Sequence, residues 1–330
     1  MGRMKAIITT GPGVPDVMTL SDVPEPTCTP DTVRVRVEAA GVNFIDIYER
    51  SGVYKVDYPF TPGREGAGTI IEAGASVTWV HEGDRVAWAF TPASYAEQVI
   101  LHEADCFMVP EAVPSDIAAA AMMQALTAHY LCTSSFALRP GHTALVHAGA
   151  GGVGSLLTQM AVARGARVIT TVSSEDKAVL SRAAGADVVI RYDQFADIAR
   201  ELPDAVRSAT GGRGVDVVYD GVGKTTFDAS LASLAVRGVL VLFGGASGQV
   251  PAFDLQRLNA GGSLSIGRPT LKHFLATAEE RAWRSGDVFA AIADGTLDMH
   301  IGARFPLADA ADAHLALENR ATTGKVLLIP

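Results

Sequence analysis

Cysteine is scarce: three in 330 residues, Cys28, Cys106 and Cys132. An odd number without CxxC spacing speaks against a disulfide framework and a cysteine-built structural metal site, and it fits a reducing compartment. Positive charge is also short. With 27 Lys+Arg against 36 Asp+Glu, a formal −9, the chain lacks the field needed for non-specific binding to nucleic acid or to an anionic membrane surface. An anionic ligand must then be held by a local site. No uncharged apolar run reaches the ~18 residues of a membrane helix, and the opening MGRMKAIITT has no long apolar core. The expectation is a soluble, unprocessed, cytoplasmic chain. Low-complexity linkers and internal repeats are missing as well, because the 33 glycines and 16 prolines fall every few residues, as many short elements require. Apolar residues are plentiful at 48%, enough to fill the cores of about two domains of ~150 residues each.

Up to about residue 110 the runs are short and β-branched: Lys5 to Thr9, Val33 to Glu38, Gly68 to Ala73, Asp84 to Ala89 and Tyr95 to Leu101. Each is bounded by Gly, Pro or Asp and reads as a strand of a compact, barrel-like unit. SDIAAAAMMQALTAHYLC then has a Ser start, an early carboxylate and Ala/Leu/Met-rich content, so it reads as two successive helices bridging two domains. After Pro140 apolar strands alternate with amphipathic helices. Strands are expected at Thr143 to Ala148, Arg167 to Val172, Asp187 to Ile190, Val215 to Asp220 and Gly238 to Phe243, with helices after Gly152, Ser174, Asp193 and Lys224. That alternation describes a doubly wound parallel sheet. The last sixty residues carry helices at Leu271 to Arg284, Val288 to Asp294 and ADAADAHLALENR, and a closing strand Gly324 to Ile329.

The strand TALVHA runs into Gly149-Ala150-Gly151-Gly152-Val153-Gly154 and on into the helix SLLTQMAVARG, the strand, turn and helix context of a dinucleotide site. Gly149 allows the tight turn, Gly151 lets backbone approach a pyrophosphate, and Gly154 lets the helix pack on the strand. The helix start then presents free N–H groups to the phosphates. An NAD site would place a carboxylate at the end of the second strand. Here ARVITTV ends in Ser173-Ser174, and Glu175 and Asp176 come only after the turn. Ser173 with Lys177 suits a 2′-phosphate, so NADP(H) is the expected coenzyme.

In order, Ala40-Gly-Val-Asn43-Phe-Ile-Asp46-Ile-Tyr48, Arg50-Ser-Gly-Val-Tyr54, Gly63-Arg-Glu-Gly-Ala-Gly68, the glycine turn, Thr210 to Asp220 with Val222-Gly223, Arg268-Pro269 and the tail from Asn319-Arg320-Ala321 resemble one family. This is the zinc-independent quinone oxidoreductase, or zeta-crystallin-like, group of the medium-chain dehydrogenase/reductase superfamily. The resemblance implies an α/β protein with a GroES-like β-rich catalytic domain (residues 1–126 and 268–330) and a Rossmann NADP(H)-binding domain (127–267), with coenzyme in the cleft between them and a homodimer. It implies that Asn43, Asp46 and Tyr48 line the nicotinamide side and that Tyr54 is the active-site tyrosine. Ser173, Lys177 and Tyr192 match the 2′-phosphate pocket. Phe243, Gly244, Arg268 and Arg320 match coenzyme-contacting segments, and Thr127 lies near the hinge.

By the same resemblance Asn43 stands where the zinc-dependent branch has its first cysteine, and Arg64 where that branch has Gly-His-Glu. Only Thr91 to Ser94 separate the strand ending at Phe90 from Tyr95, which leaves no room for a four-cysteine lobe. No two of the eight histidines fall at HxxxH spacing. His147, beside the glycine turn, is expected to pack. Arg64 either pairs with Glu65 or Glu49 or meets an anionic substrate group. Without a Lewis acid, the acceptor must already be electrophilic, a quinone or activated alkene, with Tyr54 and Asn43 as hydrogen-bond donors to its oxygen. Tyr54 is alternatively a shield over the coenzyme. The expected function is NADPH-dependent quinone reduction, and the alternatives are an enoyl or acrylyl-type alkene reductase or a crystallin-like or RNA-binding role. No basic stripe with interleaved aromatics supports RNA binding. The strand Gly238 to Phe243, placed near the sheet edge, could pair with a second copy.

Overall fold

The computed structural model describes residues 2–319 and 321–330; Arg320, a coenzyme contact implied by the resemblance, lies outside the described residues. The chain divides into two compact units, one made from the residues up to Leu126 together with those from Leu275 onward, the other from Thr127–Phe274.

The chain begins with β1 (Arg3–Thr9), β2 (Met18–Pro24), β3 (Thr32–Val42), α1 (Phe44–Arg50), β4 (Glu65–Ala73), β5 (Arg85–Ala89), β6 (Gln98–His102), β7 (Phe107–Met108) and α2 (Ser115–Tyr130). The second unit follows with β8 (Thr143–Val146), α3 (Gly152–Ala163), β9 (Arg167–Val172), α4 (Glu175–Ala183), β10 (Val188–Arg191), α5 (Ile198–Ala209), β11 (Val215–Asp220), α6 (Phe227–Ser233), β12 (Leu234–Leu242), α7 (Gln256–Ala260) and β13 (Ser265–Gly267). The chain then completes the first unit with α8 (Ala278–Ala293), β14 (Ile301–Pro306), α9 (Ala310–Glu318) and β15 (Lys325–Ile329).

In the first unit β14, β15, β3, β4, β5 and β7 lie side by side and β6 also pairs with β3. Strand β3 is central because its alternating Val33, Val35 and Val37 are buried and its second half is buried throughout. β15 pairs antiparallel with β3, so the end of the chain is built into the first unit's sheet. The second unit is a six-stranded sheet in the order β10-β9-β8-β11-β12-β13, and every pairing in it is parallel. Its apolar runs, such as Thr143–Val146 and Val217–Tyr219, are buried on both faces, as helix-covered parallel strands require.

Several expectations are corrected. The segment after Ser115 is one helix, not two, because no breaker interrupts its Ala/Leu/Met run; it closes in a π-helical turn at Leu131–Ser135. Likewise Leu271–Leu275 is a separate 3₁₀ turn and α8 runs unbroken through Gly286. Thr277 starts that helix by accepting the Glu280 N–H at 3.2 Å, and a single interior glycine lowers helix stability without ending it. Residues 268–274 group with the second unit, where Phe274 stacks on Tyr130 at 4.3 Å. β12 is not at the sheet edge: β13 pairs with it and presents the outer edge instead. Among the described residues no helix is long and apolar enough to cross a membrane.

Candidate functional site

In the second unit the glycine turn joins β8 to α3. The left-handed residue of the turn is Ala148, with φ 52°, so Gly149 is needed for a different reason than the expected one. A Cβ on Gly149 would meet Thr170 Cβ at 2.5 Å and Ser181 Oγ at 2.7 Å, and one on Gly154 would meet the Ala148 carbonyl oxygen at 2.2 Å. Both glycines are demanded by the protein's own packing. Gly151 differs: its nearest neighbour would be the Ala148 oxygen at 3.1 Å and the next 3.8 Å away. That position therefore leaves room above the backbone. Gly151 is the N-cap of α3 and offers no side-chain cap, so the N–H groups of Gly152, Val153 and Gly154 remain available to an anion at the positive helix end. This cradle fits a pyrophosphate.

At the same edge of the sheet, Ser173 follows β9 and Ser174 caps α4 by accepting the Lys177 N–H at 3.3 Å. The cap turns Lys177 back toward the strand, where Nζ lies 3.4 Å from Ser173 Oγ. Hydroxyl and cation thus sit together where a 2′-phosphate needs both. Tyr192 opens a 3₁₀ turn after β10. Arg191, not foreseen, lies beside Val172 in the strand register and is shared by Glu175 at 3.1 Å and Asp193 at 2.7 Å. Its neighbouring guanidiniums, Arg182 and Arg191, hold the Glu175 carboxyl below its usual range. Phe243 and Gly244 follow β12, and their N–H groups both reach the Asp220 carbonyl, at 2.9 and 3.3 Å. Arg268 is exposed after β13, and Thr127 lies partly buried in α2 as the first residue of the second unit.

In the first unit Asn43 caps α1. Sequence propensity hid this helix, since Phe44, Ile45, Ile47 and Tyr48 favour strands; it forms because Asp46, in the first turn, accepts the Asn43 N–H at 2.8 Å. Tyr48 and Tyr54 meet edge to face at 5.3 Å, and the Tyr54 N–H bonds the Tyr48 carbonyl at 2.9 Å. Tyr54 is 40% exposed, and its hydroxyl has no hydrogen-bond partner among the described residues. It lines an open depression of about 390 Å³ with Pro12, Gly52, Lys55, Val56, Asp57 and Tyr58. Arg64 pairs with Glu49, Nε at 3.0 and 3.1 Å from its two oxygens and Nη2 at 2.5 Å. The structural ion pair is the observed arrangement.

Behind α1 lies a closed charge cluster. Lys325 and Glu65, both fully buried, form an ion pair; Asn43 receives Lys325 Nζ on Oδ1 at 2.9 Å and gives Nδ2 to Glu65 Oε2 at 2.8 Å. Glu65 Oε1 also accepts the Met123 N–H from α2. A ligand approaching the Asn43 amide must compete with these bonds. A divalent cation does not fit here, because the Lys325 ammonium already bonds both Glu65 and the Asn43 amide oxygen. Among the described residues no group of three or more His, Cys, Asp or Glu converges as a metal site.

Asp46 starts a second buried line. Its Oδ2 also accepts the Tyr95 hydroxyl at 3.1 Å, while Oδ1 has no partner among the described residues. Tyr95 in turn meets His314 Nε2 at 3.0 Å, and His314 Nδ1 meets Arg50 at 3.3 Å. A guanidinium only donates, so His314 accepts at Nδ1, carries its hydrogen on Nε2 and directs the Tyr95 hydrogen to Asp46. Burial, reinforced by the Glu49 charge, pushes the Asp46 carboxyl up to about 7 against the opposing Asn43 N–H, Lys325 and Tyr95. Burial and the Arg50 charge push His314 down to about 3. Lys325, Tyr95 and His314 were not singled out from the sequence, and Glu65 was named there only as a partner for Arg64. No local spacing could mark them, since Asn43 and Lys325 are 282 residues apart.

Residues 29–111 match the model of the alcohol dehydrogenase GroES-like domain, and residues 152–281 match that of the zinc-binding dehydrogenases. A quinone oxidoreductase of Pseudomonas aeruginosa is 42% identical over 320 residues, 96% of this chain and 97% of that protein. A 2-haloacrylate reductase of a Burkholderia species is 36% identical over 96% of both chains. A mycobacterial protein solved in complex with NADPH superposes with a TM-score of 0.95 at 50% identity, covering 99% of this chain and 100% of that one.

Proposed function

Because the chain belongs to the quinone oxidoreductase family of the medium-chain dehydrogenase/reductase superfamily, we propose that it is an NADPH-dependent quinone oxidoreductase that works without a metal. The observation that carries this reading is the pairing of Lys177 Nζ with Ser173 Oγ at the sheet edge that also carries the open glycine cradle. NADPH, when bound, supplies a hydride. Gly151 and the N–H groups of Gly152, Val153 and Gly154 would hold its pyrophosphate, and Ser173, Lys177 and Tyr192 its 2′-phosphate. Phe243, Gly244, Arg268, Arg320 and Thr127 belong to the same proposed coenzyme set, as do Asn43 and Tyr48; Asp46, expected to line the nicotinamide side, is instead buried and acts by holding the start of α1.

On the acceptor side, Tyr54 presents a free hydroxyl beside an open depression that Tyr58 also lines. It donates a hydrogen bond to the acceptor oxygen on which negative charge grows, and positioned donation of this kind lowers the barrier most when the acceptor is already electrophilic. Asn43 contributes through the orientation that Lys325 and Glu65 impose. The Lys325 ammonium puts a positive charge against both Asn43 and Glu65, which supports a reaction independent of zinc. The three free cysteines support a reducing, cytoplasmic setting, and the open β13 edge supports a homodimer formed by extending the sheet.

Steady-state oxidation of NADPH with a panel of small quinones tests the reading. Turnover to the quinol is expected; a folded protein that fails to oxidise NADPH with any acceptor tried would overturn it. The likeness to a 2-haloacrylate reductase favours alkene reduction as the second reading, and recovery of a saturated product from an activated alkene with no quinone turnover would select it.

A further inference from the structure

His147 follows β8 directly and immediately precedes the glycine turn. It is 2% exposed, and the three side chains joined to it, Thr171, Ser230 and Asp220, are equally buried. Nδ1 lies 2.9 Å from Thr171 Oγ1 and Nε2 lies 2.9 Å from Ser230 Oγ. Ser230 Oγ is 2.8 Å from Asp220 Oδ2. The hydrogens can be placed by elimination. A carboxylate only accepts, so the single Ser230 hydrogen goes to Asp220, the Ser230 oxygen accepts from His147 Nε2–H, and bare Nδ1 accepts from Thr171. Burial, which lowers the tendency of His147 to take a second proton, keeps this one tautomer in place.

Asp220 also gathers the turn after β11. Its Oδ1 accepts the N–H groups of Val222 at 2.8 Å and Gly223 at 3.0 Å, and both oxygens receive the Thr226 hydroxyl. On the other side, Gly149 N–H bonds the Thr171 carbonyl at 3.0 Å and His147 N–H bonds the Tyr219 carbonyl at 3.1 Å. One imidazole therefore ties the turn at 148–151, through β9 and α6, to the turn at 221–223. We propose that His147 and Ser230 are positioning residues of the dinucleotide site, fixing the spacing between these two turns. The inference rests on the reading that the glycine turn holds a pyrophosphate, and it goes beyond that reading by assigning two buried residues to coenzyme affinity.

Both turns would face the shared part of the coenzyme, not the 2′-phosphate. Ser230→Ala, which cuts the relay by one hydroxyl, is therefore expected to raise the dissociation constants of NADPH and NADH by the same factor, about tenfold for one lost buried hydrogen bond. Binding of adenosine 2′-monophosphate, which carries the 2′-phosphate without a pyrophosphate, should not change. His147→Leu should reproduce the pattern. Should it fail to fold, the single-hydroxyl variant carries the test alone. Unchanged NADPH and NADH affinity in folded Ser230→Ala, with only a lower melting temperature, would overturn the positioning role. Wild-type protein that binds neither coenzyme would instead overturn the coenzyme reading on which the role depends.

Discussion

A carboxyl group sealed from water keeps its proton, and Asp46 is fully buried with one oxygen unpartnered among the described residues. Folding raises its pKa from 3.8 to about 7. The stability it contributes is thus fully present below pH 4 and is lost as pH rises to about 7, with a flat response beyond; the loss approaches ~4 kcal/mol at 1.36 kcal/mol per pKa unit. Asp46→Asn imitates the protonated acid, so the stability of this variant relative to wild type should rise between pH 4 and 7 and then level off. Denaturant melts across that range measure it, and a difference independent of pH contradicts the buried acid. Lys177 answers to a different readout. Its replacement by Ala removes a charge-assisted phosphate contact worth ~1.5–3 kcal/mol, so KM for NADPH should rise roughly ten- to a hundredfold while KM for NADH barely moves. Equal effects on both coenzymes remove the 2′-phosphate role.

At the scale of elements, the glycine turn separates two demands that one motif conceals. Gly154→Ala forces a Cβ to 2.2 Å from the Ala148 oxygen, so it should cost several kcal/mol of stability through backbone displacement. Gly151→Ala needs only a few tenths of an ångström from its neighbour; the melting temperature should hold while NADPH affinity falls. Melting curves and coenzyme titration on the two variants decide whether that space serves a ligand. The β8 to α3 junction was legible in the sequence because the apolar run, the glycines and the helix start are contiguous. Helix α1 was not, because a side chain at Asp46 and a cap at Asn43 outweigh the strand preference of Phe44, Ile45 and Ile47. The Lys325–Glu65 pair was equally hidden: β15 meets β3 only in the folded sheet, and the contact joins residues 260 apart. Ser173 and Lys177 could be paired because they lie close in sequence on either side of the Ser174 cap, whereas His314 enters the first unit from the far end of the chain.

For the whole molecule, β13 is one of the two edges, with β10 the other, at which the parallel sheet ends without a partner among the described residues. Light scattering at micromolar concentration should return twice the mass of the chain, and a strictly monomeric protein contradicts assembly through that edge. Charge at the molecular scale agrees with a small-molecule role, since a net −9 leaves anion binding to local sites, such as those proposed at the α3 start and at Lys177. The proposed activity is coenzyme-driven reduction without a metal. The direct measurement is the rate of quinone reduction by NADPH in protein stripped with a strong chelator, with bound metal quantified on the same sample. Full activity at substoichiometric zinc is the predicted result. Activity that disappears on stripping and returns with added zinc contradicts the account.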